Sequence, residues 1–266
     1  MADAKVVLIT GANTGIGFQV ARALYSADRA YSIIIAARSL SKAQDAISEI
    51  QSEFSSSSNK LTPVVLDVES DEAIEKAYNE VKGAFGQVDA LVNNAGAQFD
   101  QRGLCGEISM REAWNKSWDV NVSGTQILTA TFIPLLLQSA DPRIIFVTSG
   151  TATLEGTVTK TTPADRMVPE PGWPKTMMNV AAYRSAKTGL NMMMREWDRV
   201  LTKDGVKVFA ISPGLLATNL GGNPEMLKKM GAGDPVVAGA LFRDVLEGRR
   251  DGDVGKVVKR DGVQPW

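Results

Sequence analysis

The 266-residue chain contains no histidine. That absence removes every serine–histidine or cysteine–histidine nucleophilic device and every histidine-ligated zinc centre. Proton transfer must then fall to tyrosine, lysine, a carboxylate or water. Cysteine is almost missing too: the single Cys105 excludes an internal disulfide and suits a reducing compartment. A small, redox-silent residue is the expected reading of Cys105, a reactive thiol the alternative. An excess of one charge is also lacking. With 29 basic and 30 acidic residues and no basic block, nothing points to a nucleic-acid partner. No apolar run approaches the ~20 residues that span a bilayer, so no membrane association is expected. A strand pattern starting at Lys5 leaves no room for a signal peptide, and the expected location is cytoplasmic.

What is present describes a packed domain. Hydrophobic residues make up 44% and charged residues 22%, which suits a globular fold rather than a disordered chain. β-type runs at Lys5–Thr10, Tyr31–Ala37, Leu61–Asp67, Val88–Asn93, Arg143–Thr148, Val206–Ile211 and Val254–Val258 alternate with segments of helical period. Those segments cover about Gly15–Ala27, Leu40–Phe54, Asp71–Phe85, Ser109–Gln138, Ala181–Thr202 and Pro235–Glu247. Strands separated by helices imply right-handed crossovers and a parallel sheet covered on both faces. No linker divides the chain and no solenoid repeat occurs. The expectation is an α/β fold: one doubly wound Rossmann-type domain over residues 1–266, with a parallel seven-stranded sheet.

Gly11, Gly15 and Gly17 fall where the first strand meets the first helix. Glycines there let backbone N–H groups approach a pyrophosphate, and the helix N-terminus adds a favourable dipole. Tight strand–helix turns need glycine anyway, so the cluster gains weight from its place in the first βα unit. At the end of the second strand Ala37 replaces the carboxylate that would bind a ribose diol, and Arg38 and Ser39 follow it. A guanidinium there suits a 2′-phosphate, which favours NADP(H), whereas a solvated arginine is the plainer reading.

Tyr183 and Lys187 are four residues apart on a helical segment, hence one turn apart on one face. An unperturbed phenol has a pKa of about 10, and a neighbouring ammonium favours its ionised form. The spacing alone selects nothing, because Tyr78 and Lys82 repeat it. That second pair lies beside neither a glycine turn nor a strand-end serine and reads as a surface pair. Ser149 closes the fifth strand at the carboxyl edge, where ligands of such sheets bind. Its neighbour Thr148 should point to the opposite side by strand alternation.

Taken together, the Thr10 to Gly17 turn, Asn93-Asn94-Ala95-Gly96, Asp67, Asn121, Ser149, Tyr183, Lys187 and Pro213-Gly214 with Thr218 resemble the classical short-chain dehydrogenase/reductase family. The resemblance runs from Lys5 to the last strand. It implies a catalytic set of Asn121, Ser149, Tyr183 and Lys187. It also implies a cofactor site of Gly11, Asn13, Thr14, Ile16, Gly17, Arg38, Ser39, Asp67, Val68, Asn94, Ala95, Gly96, Tyr183, Lys187, Pro213, Gly214, Leu216 and Thr218, and no metal. Asn13 and Thr14 stand where many NADP-preferring relatives carry a second basic residue. The implied chemistry is NADPH-dependent reduction of a ketone or aldehyde, with a small-molecule carbonyl or alcohol as partner and Tyr183 as proton donor. Two other readings remain: a repurposed fold catalysing isomerisation or cyclisation, and a non-catalytic NADP(H)-binding sensor.

Ser149 and Tyr183 stand thirty-four positions apart, a longer separation than most such relatives have and similar to that of monomeric carbonyl reductases. The oligomeric state is therefore open between monomer, homodimer and homotetramer. The insertion, 151–182, carries Pro169, Pro171 and Pro174, a density that resists regular structure, and long ordered loops are usually functional. Trp173, Met177 and Met178 either wall an apolar pocket or staple the loop to the body. Residues 219–233 are the expected lid. Met192, Met193 and Met194 fit helix-core or interface packing, and Trp266 is placed to reach the pocket or a neighbouring subunit.

Overall fold

The structure is a computed structural model that describes residues 4–175 and 180–266. Strand β1 (Lys5–Thr10) leads into helix α1 (Gly15–Tyr25), and β2 (Tyr31–Ala37) into α2 (Leu40–Glu53). β3 (Lys60–Val65) and α3 (Asp71–Phe85) precede β4 (Ala90–Asn93), α4 (Asp100–Leu104), α5 (Met110–Trp118) and α6 (Gly124–Leu136). After β5 (Arg143–Val147) come α7 (Leu154–Thr159), α8 (Pro163–Arg166) and the long α9 (Ala181–Leu201). β6 (Lys207–Ile211), α10 (Pro224–Lys229), α11 (Val236–Leu246), β7 (Val257–Lys259) and β8 (Gly262–Gln264) complete the order.

The strands form one sheet in the order β3-β2-β1-β4-β5-β6-β7-β8, parallel except for β8. The expected seven parallel strands are present, and the eighth is a hairpin return, Val258 opposite Val263, too short to show an alternating pattern. Strand order reverses between β1 and β4, so the crevice at their carboxyl ends is the switch point where such sheets bind ligands. Pro63 is tolerated in β3 because that strand lies at the sheet edge, where a missing N–H leaves no neighbour unpaired.

Two apolar clusters cover the sheet faces. One joins Ile9, Ile33 and Phe209 to Leu24 of α1, Ile50 of α2 and Phe242 of α11. The other joins Leu8, Ile34 and Phe146 to Ile74 of α3, Phe132 of α6 and Met194 of α9. Gly239 permits the α1–α11 crossing, since a Cβ there would lie 2.7 Å from both Gln19 O and the Ala23 Cβ. At the amino edge a polar knot ties strand starts together. Arg143, its side chain 3% exposed, bonds Asp141 and Asp251, while Lys5 also reaches Asp141 and Lys207 reaches both.

The segment expected as one helix from Ser109 to Gln138 is two helices joined by a π-helical turn, Asp119–Ser123. One extra residue in the turn leaves the apolar period nearly intact, so periodicity does not reveal it. Among the described residues no helix is long and apolar enough to cross a membrane.

Candidate active site

The site is assembled from loops that leave the carboxyl edge of the sheet. Gly11 and Gly15 adopt left-handed φ values of +61° and +59°, which turn the chain sharply between β1 and α1. Gly17 is needed for packing, since a Cβ there would sit 2.5 Å from Asn94 Nδ2 and 2.8 Å from Gly11 O. Asn94 Nδ2 donates to Thr10 O at 2.7 Å and to Gly11 O at 3.2 Å. Thr10 Oγ1 in turn accepts the N–H groups of Asn94 and Ala95 at 3.0 and 2.9 Å. The turn is thus locked to the end of β4 by Thr10 and Asn94. Asn94 braces the cradle through its side chain, and Thr10 is a contributor the sequence reading did not single out.

Around this turn, Thr14 is exposed and Asn13 and Ile16 are half-buried. Thr218 packs within van der Waals reach of the Gly15 position, which brings the start of the expected lid against the glycine turn. Pro213 and Gly214 (φ +92°) leave β6 toward the same place. Leu216 bridges Gly233, and Ala217 N donates to Gly233 O at 2.9 Å. Residues 219–233 are therefore a loop pinched at its base, with α10 and the 3₁₀ turn Asn219–Gly221 inside it.

Arg38 is exposed at the end of β2 and makes no hydrogen bond or ion pair among the described residues. Beside it the Ser39 hydroxyl lies 2.9 Å from that of Ser41. Asp67 Oδ1 accepts Glu69 N at 3.1 Å, which shapes the turn after β3. Val68 is buried, its carbonyl lying against Gly124, where a Cβ would come within 2.0 Å of it.

Asn121 is fully buried inside the π turn. Its Nδ2 donates to Ala97 O and Ser117 O, each at 2.8 Å, and its Oδ1 accepts Ala97 N at 3.4 Å. Such turns widen the helix and free carbonyls for side-chain donors, a recurrent feature of functional sites. A Cβ on Gly96 would lie 2.9 Å from Asn121 Oδ1 and 3.3 Å from Lys187 Nζ, so glycine there lets the two groups converge.

Lys187 is 3% exposed, donates to Val147 O at 2.8 Å, and holds its Nζ 5.8 Å from the Tyr183 ring centre. Burial drives its pKa down to about 7. Burial pushes the Tyr183 phenol up to about 12, with the nearby Ser149 hydroxyl pulling the other way. The sequence had suggested a downward push from Lys187. Burial wins because it also discharges the lysine that would have supplied the push. Ser149 Oγ accepts Thr151 N at 3.2 Å and lies 2.9 Å from Thr151 Oγ1. Thr148 is buried and bonds Lys187 O at 3.4 Å, away from Ser149 as alternation requires.

The rival pair is instructive. Lys82 Nζ lies 5.9 Å from the Tyr78 ring centre, nearly the same distance, but Lys82 is exposed. The Tyr78 ring itself packs edge-on against Phe132 at 5.6 Å, so the tyrosine of this surface pair is half-buried against the core.

The helix bearing Tyr183 begins under Asp100, whose carboxylate accepts Ala182 N at 2.8 Å and Tyr183 N at 3.1 Å. Nothing in the sequence marks Asp100, which sits in a short helix with no period. Gln264, also unmarked, donates from Nε2 to Ser149 O at 3.1 Å. The insertion is more regular than its prolines suggest, holding α7, α8 and the 3₁₀ turn Gly150–Ala152. Trp173 is 82% exposed and lines an open surface hollow with Pro169, Pro171 and Lys175, and Met177 and Met178 lie outside the described residues. Met194 is core, Met193 half-buried and Met192 exposed. Trp266 presents a half-exposed ring, while its backbone oxygen accepts Glu155 N and Thr153 Oγ1 beside the Ser149 turn. Cys105 is exposed and accepts a 3.1 Å bond from Gln101 Nε2.

The family model described as short chain dehydrogenase matches residues 5–161 and 174–226, leaving part of the insertion outside the match. Short-chain dehydrogenase/reductase eupG of Phoma sp is 44% identical over 98% of this chain and 97% of its own length. Short-chain dehydrogenase/reductase tropE of Talaromyces stipitatus is 43% identical over 100% and 99%. Among solved structures, NADPH-bound carbonyl reductase from chicken fatty liver superposes with a TM-score of 0.80 at 21% identity, covering 99% of both chains. An alcohol dehydrogenase from the archaeon Thermococcus sibiricus, complexed with 5-hydroxy-NADP, gives 0.76 at 25% identity, covering 98% of this chain and 97% of that one.

Proposed function

The chain belongs to the short-chain dehydrogenase family, a family of oxidoreductases, and from that premise we propose that it is an NADPH-dependent reductase of ketones or aldehydes. The observation that carries the reading is the buried Lys187 held 5.8 Å from the Tyr183 ring on the same helix, with the strand-end Ser149 and a glycine turn at the switch point of the sheet.

The residues fit the cofactor. Left-handed Gly11 and Gly15 leave backbone N–H groups open to a pyrophosphate at the start of α1. The unpartnered Arg38 guanidinium, with no carboxylate at the end of β2, suits a 2′-phosphate through forked, charge-assisted bonds. Asp67 and Val68 would line the adenine side, and Pro213, Gly214, Leu216 and Thr218 would hold the nicotinamide side. When bound, NADPH supplies a hydride to the carbonyl carbon of the substrate.

The protein's part is orientation and proton supply. Ser149 donates a hydrogen bond to the substrate oxygen, which stabilises the negative charge developing there. Tyr183 gives its phenolic proton to that oxygen and completes the alcohol. Burial keeps the phenol protonated across the physiological range, so the proton to be given is in place before the cofactor binds. Lys187 orients the ribose and restores the proton to Tyr183, and Asn121 holds the Ala97 and Ser117 carbonyls in place along the resupply path.

The test is a panel of carbonyl compounds followed by loss of NADPH absorbance, run beside Tyr183→Phe. Turnover should fall by roughly 10²–10⁴-fold in the variant, the span of general-acid catalysis. A wild type that binds NADPH but reduces nothing, or a phenylalanine variant of equal activity, would sink the reading in favour of a sensor or an isomerase.

A further inference from the structure

Arg184, the residue after Tyr183, joins the Ser149 turn to the α8 part of the insertion. Arg184, Thr188 and Asn191 follow at helical spacing and form a stripe on α9 beside the one that carries Tyr183 and Lys187. All three grip the turn after Ser149. Arg184 Nε donates to Thr151 O at 2.9 Å, Thr188 Oγ1 to Ala152 O at 3.1 Å and Asn191 Nδ2 to Ala152 O at 3.5 Å. Thr151 touches the serine itself, hydroxyl to hydroxyl, at 2.9 Å.

Among the described residues, Arg184 alone of the three also bonds α8. Its Nη2 donates to Asp165 Oδ1 at 2.6 Å. The Asp165 side chain is 2% exposed, and its other oxygen takes Thr162 Oγ1 at 2.6 Å and Thr162 N at 3.2 Å, closing the capping box of α8. A carboxylate so enclosed is a costly charge unless every partner stays in place. The planar guanidinium fork can serve Asp165 and Thr151 together in only one orientation. Fixing the insertion therefore fixes the serine turn.

We propose that Arg184 is a positioning residue that latches the insertion to the Ser149 turn, so that α8 and the Ser149–Tyr183 geometry hold together or loosen together. This rests on the reductase reading for its effect on turnover. In those terms the insertion is a strut behind the serine.

Arg184→Met, Asp165→Asn and the double variant decide it, measured by kcat and KM on a carbonyl substrate, NADPH Kd by fluorescence, melting temperature and amide exchange at residues 154–166. Arg184→Met should lower kcat roughly tenfold or more, the scale of a small displacement of a reacting group, with NADPH Kd within about twofold. Amide protection of Asp165 should fall in both single variants. Asp165→Asn should add nothing in the Arg184→Met background, since both act through one contact. Unchanged kcat with unchanged exchange, additive losses in the double variant, or a loss of kcat matched by weaker NADPH binding would overturn the latch. A wild type that reduces no carbonyl sinks the reductase reading instead, and exchange at residues 154–166 then decides the latch without turnover.

Discussion

Asp100 Oδ2 accepts the backbone N–H of Tyr183 at 3.1 Å, so the helix carrying the candidate proton donor starts on a buried carboxylate from α4. Two of the orphan N–H groups at the start of α9 are satisfied this way, and the negative charge faces the positive end of the helix dipole.

Asp100→Ala should destabilise the protein by about 0.5–2 kcal/mol, the usual cost of a lost cap. It should also lower kcat further than that loss explains, because the first turn of α9 sets where the phenol sits. Asp100→Asn, keeping one acceptor oxygen, should recover part of both. Thermal melts and steady-state kinetics check this, and a variant with lowered melting temperature but full kcat would show that the cap does not govern Tyr183.

Arg38→Asp should weaken NADPH far more than NADH. A charge-assisted hydrogen-bond set is worth about 1.5–3 kcal/mol, or roughly ten- to hundredfold in Kd. Fluorescence titration with each cofactor measures the difference. Equal weakening of both would remove Arg38 from any role in reading the 2′-phosphate.

The bounds of β1, β2 and α3 were legible to the residue because each is a run with one clear period between polar turns. Ser149, Tyr183 and Lys187 were legible because their chemistry is scarce in a chain without histidine and their positions follow strand ends. Asp100 and Gln264 were not: each acts through contacts more than eighty residues away in sequence, which no local pattern encodes. The capping box of Thr162 and Asp165 had a local signature, but the prolines after it dominated the reading of the insertion. The upward direction of the Tyr183 pKa is not legible either, because spacing reports a neighbour's identity and says nothing of how deeply that neighbour is buried.

Lys187 makes stability depend on pH. Its folded pKa is depressed from 10.5 to about 7, so between those values the unfolded chain holds a proton that the folded chain has released. Stability therefore rises with pH through that window and is lowest below it. Lys187→Met should abolish the slope and raise the melting temperature at pH 7 and below, even as it removes activity. Melts from pH 6 to pH 10 would measure it (about 7 and 10.5 mark the window), and a parallel pair of curves for wild type and variant would refute the assignment.

At the opposite edge of the sheet, Arg143 separates Asp141 from Asp251, with its own side chain 3% exposed. Arg143→Met leaves two carboxylates facing each other with only Lys5 and Lys207 to balance them. Breaking a fully buried pair on one side costs about 3–5 kcal/mol, and the cost here is smaller because the Asp141 and Asp251 side chains are 35% exposed and water can reach them. The hydrogen bonds from Lys5 and Lys207 and the Arg143 charge outweigh burial and hold Asp141 below the usual carboxylate range; Arg143 first, and Lys207 after it, lower Asp251. Stability from both is complete above the unfolded value of 3.8 and is lost as pH falls below it. Acid titration of wild type should therefore show loss of fold beginning below about pH 4, with the Arg143→Met curve flatter because less stabilisation remains to be lost. The knot lies at the amino ends of the strands, away from Tyr183, so NADPH binding at neutral pH should survive the substitution wherever the variant stays folded. A variant that melts like wild type would show that the knot contributes nothing to the fold.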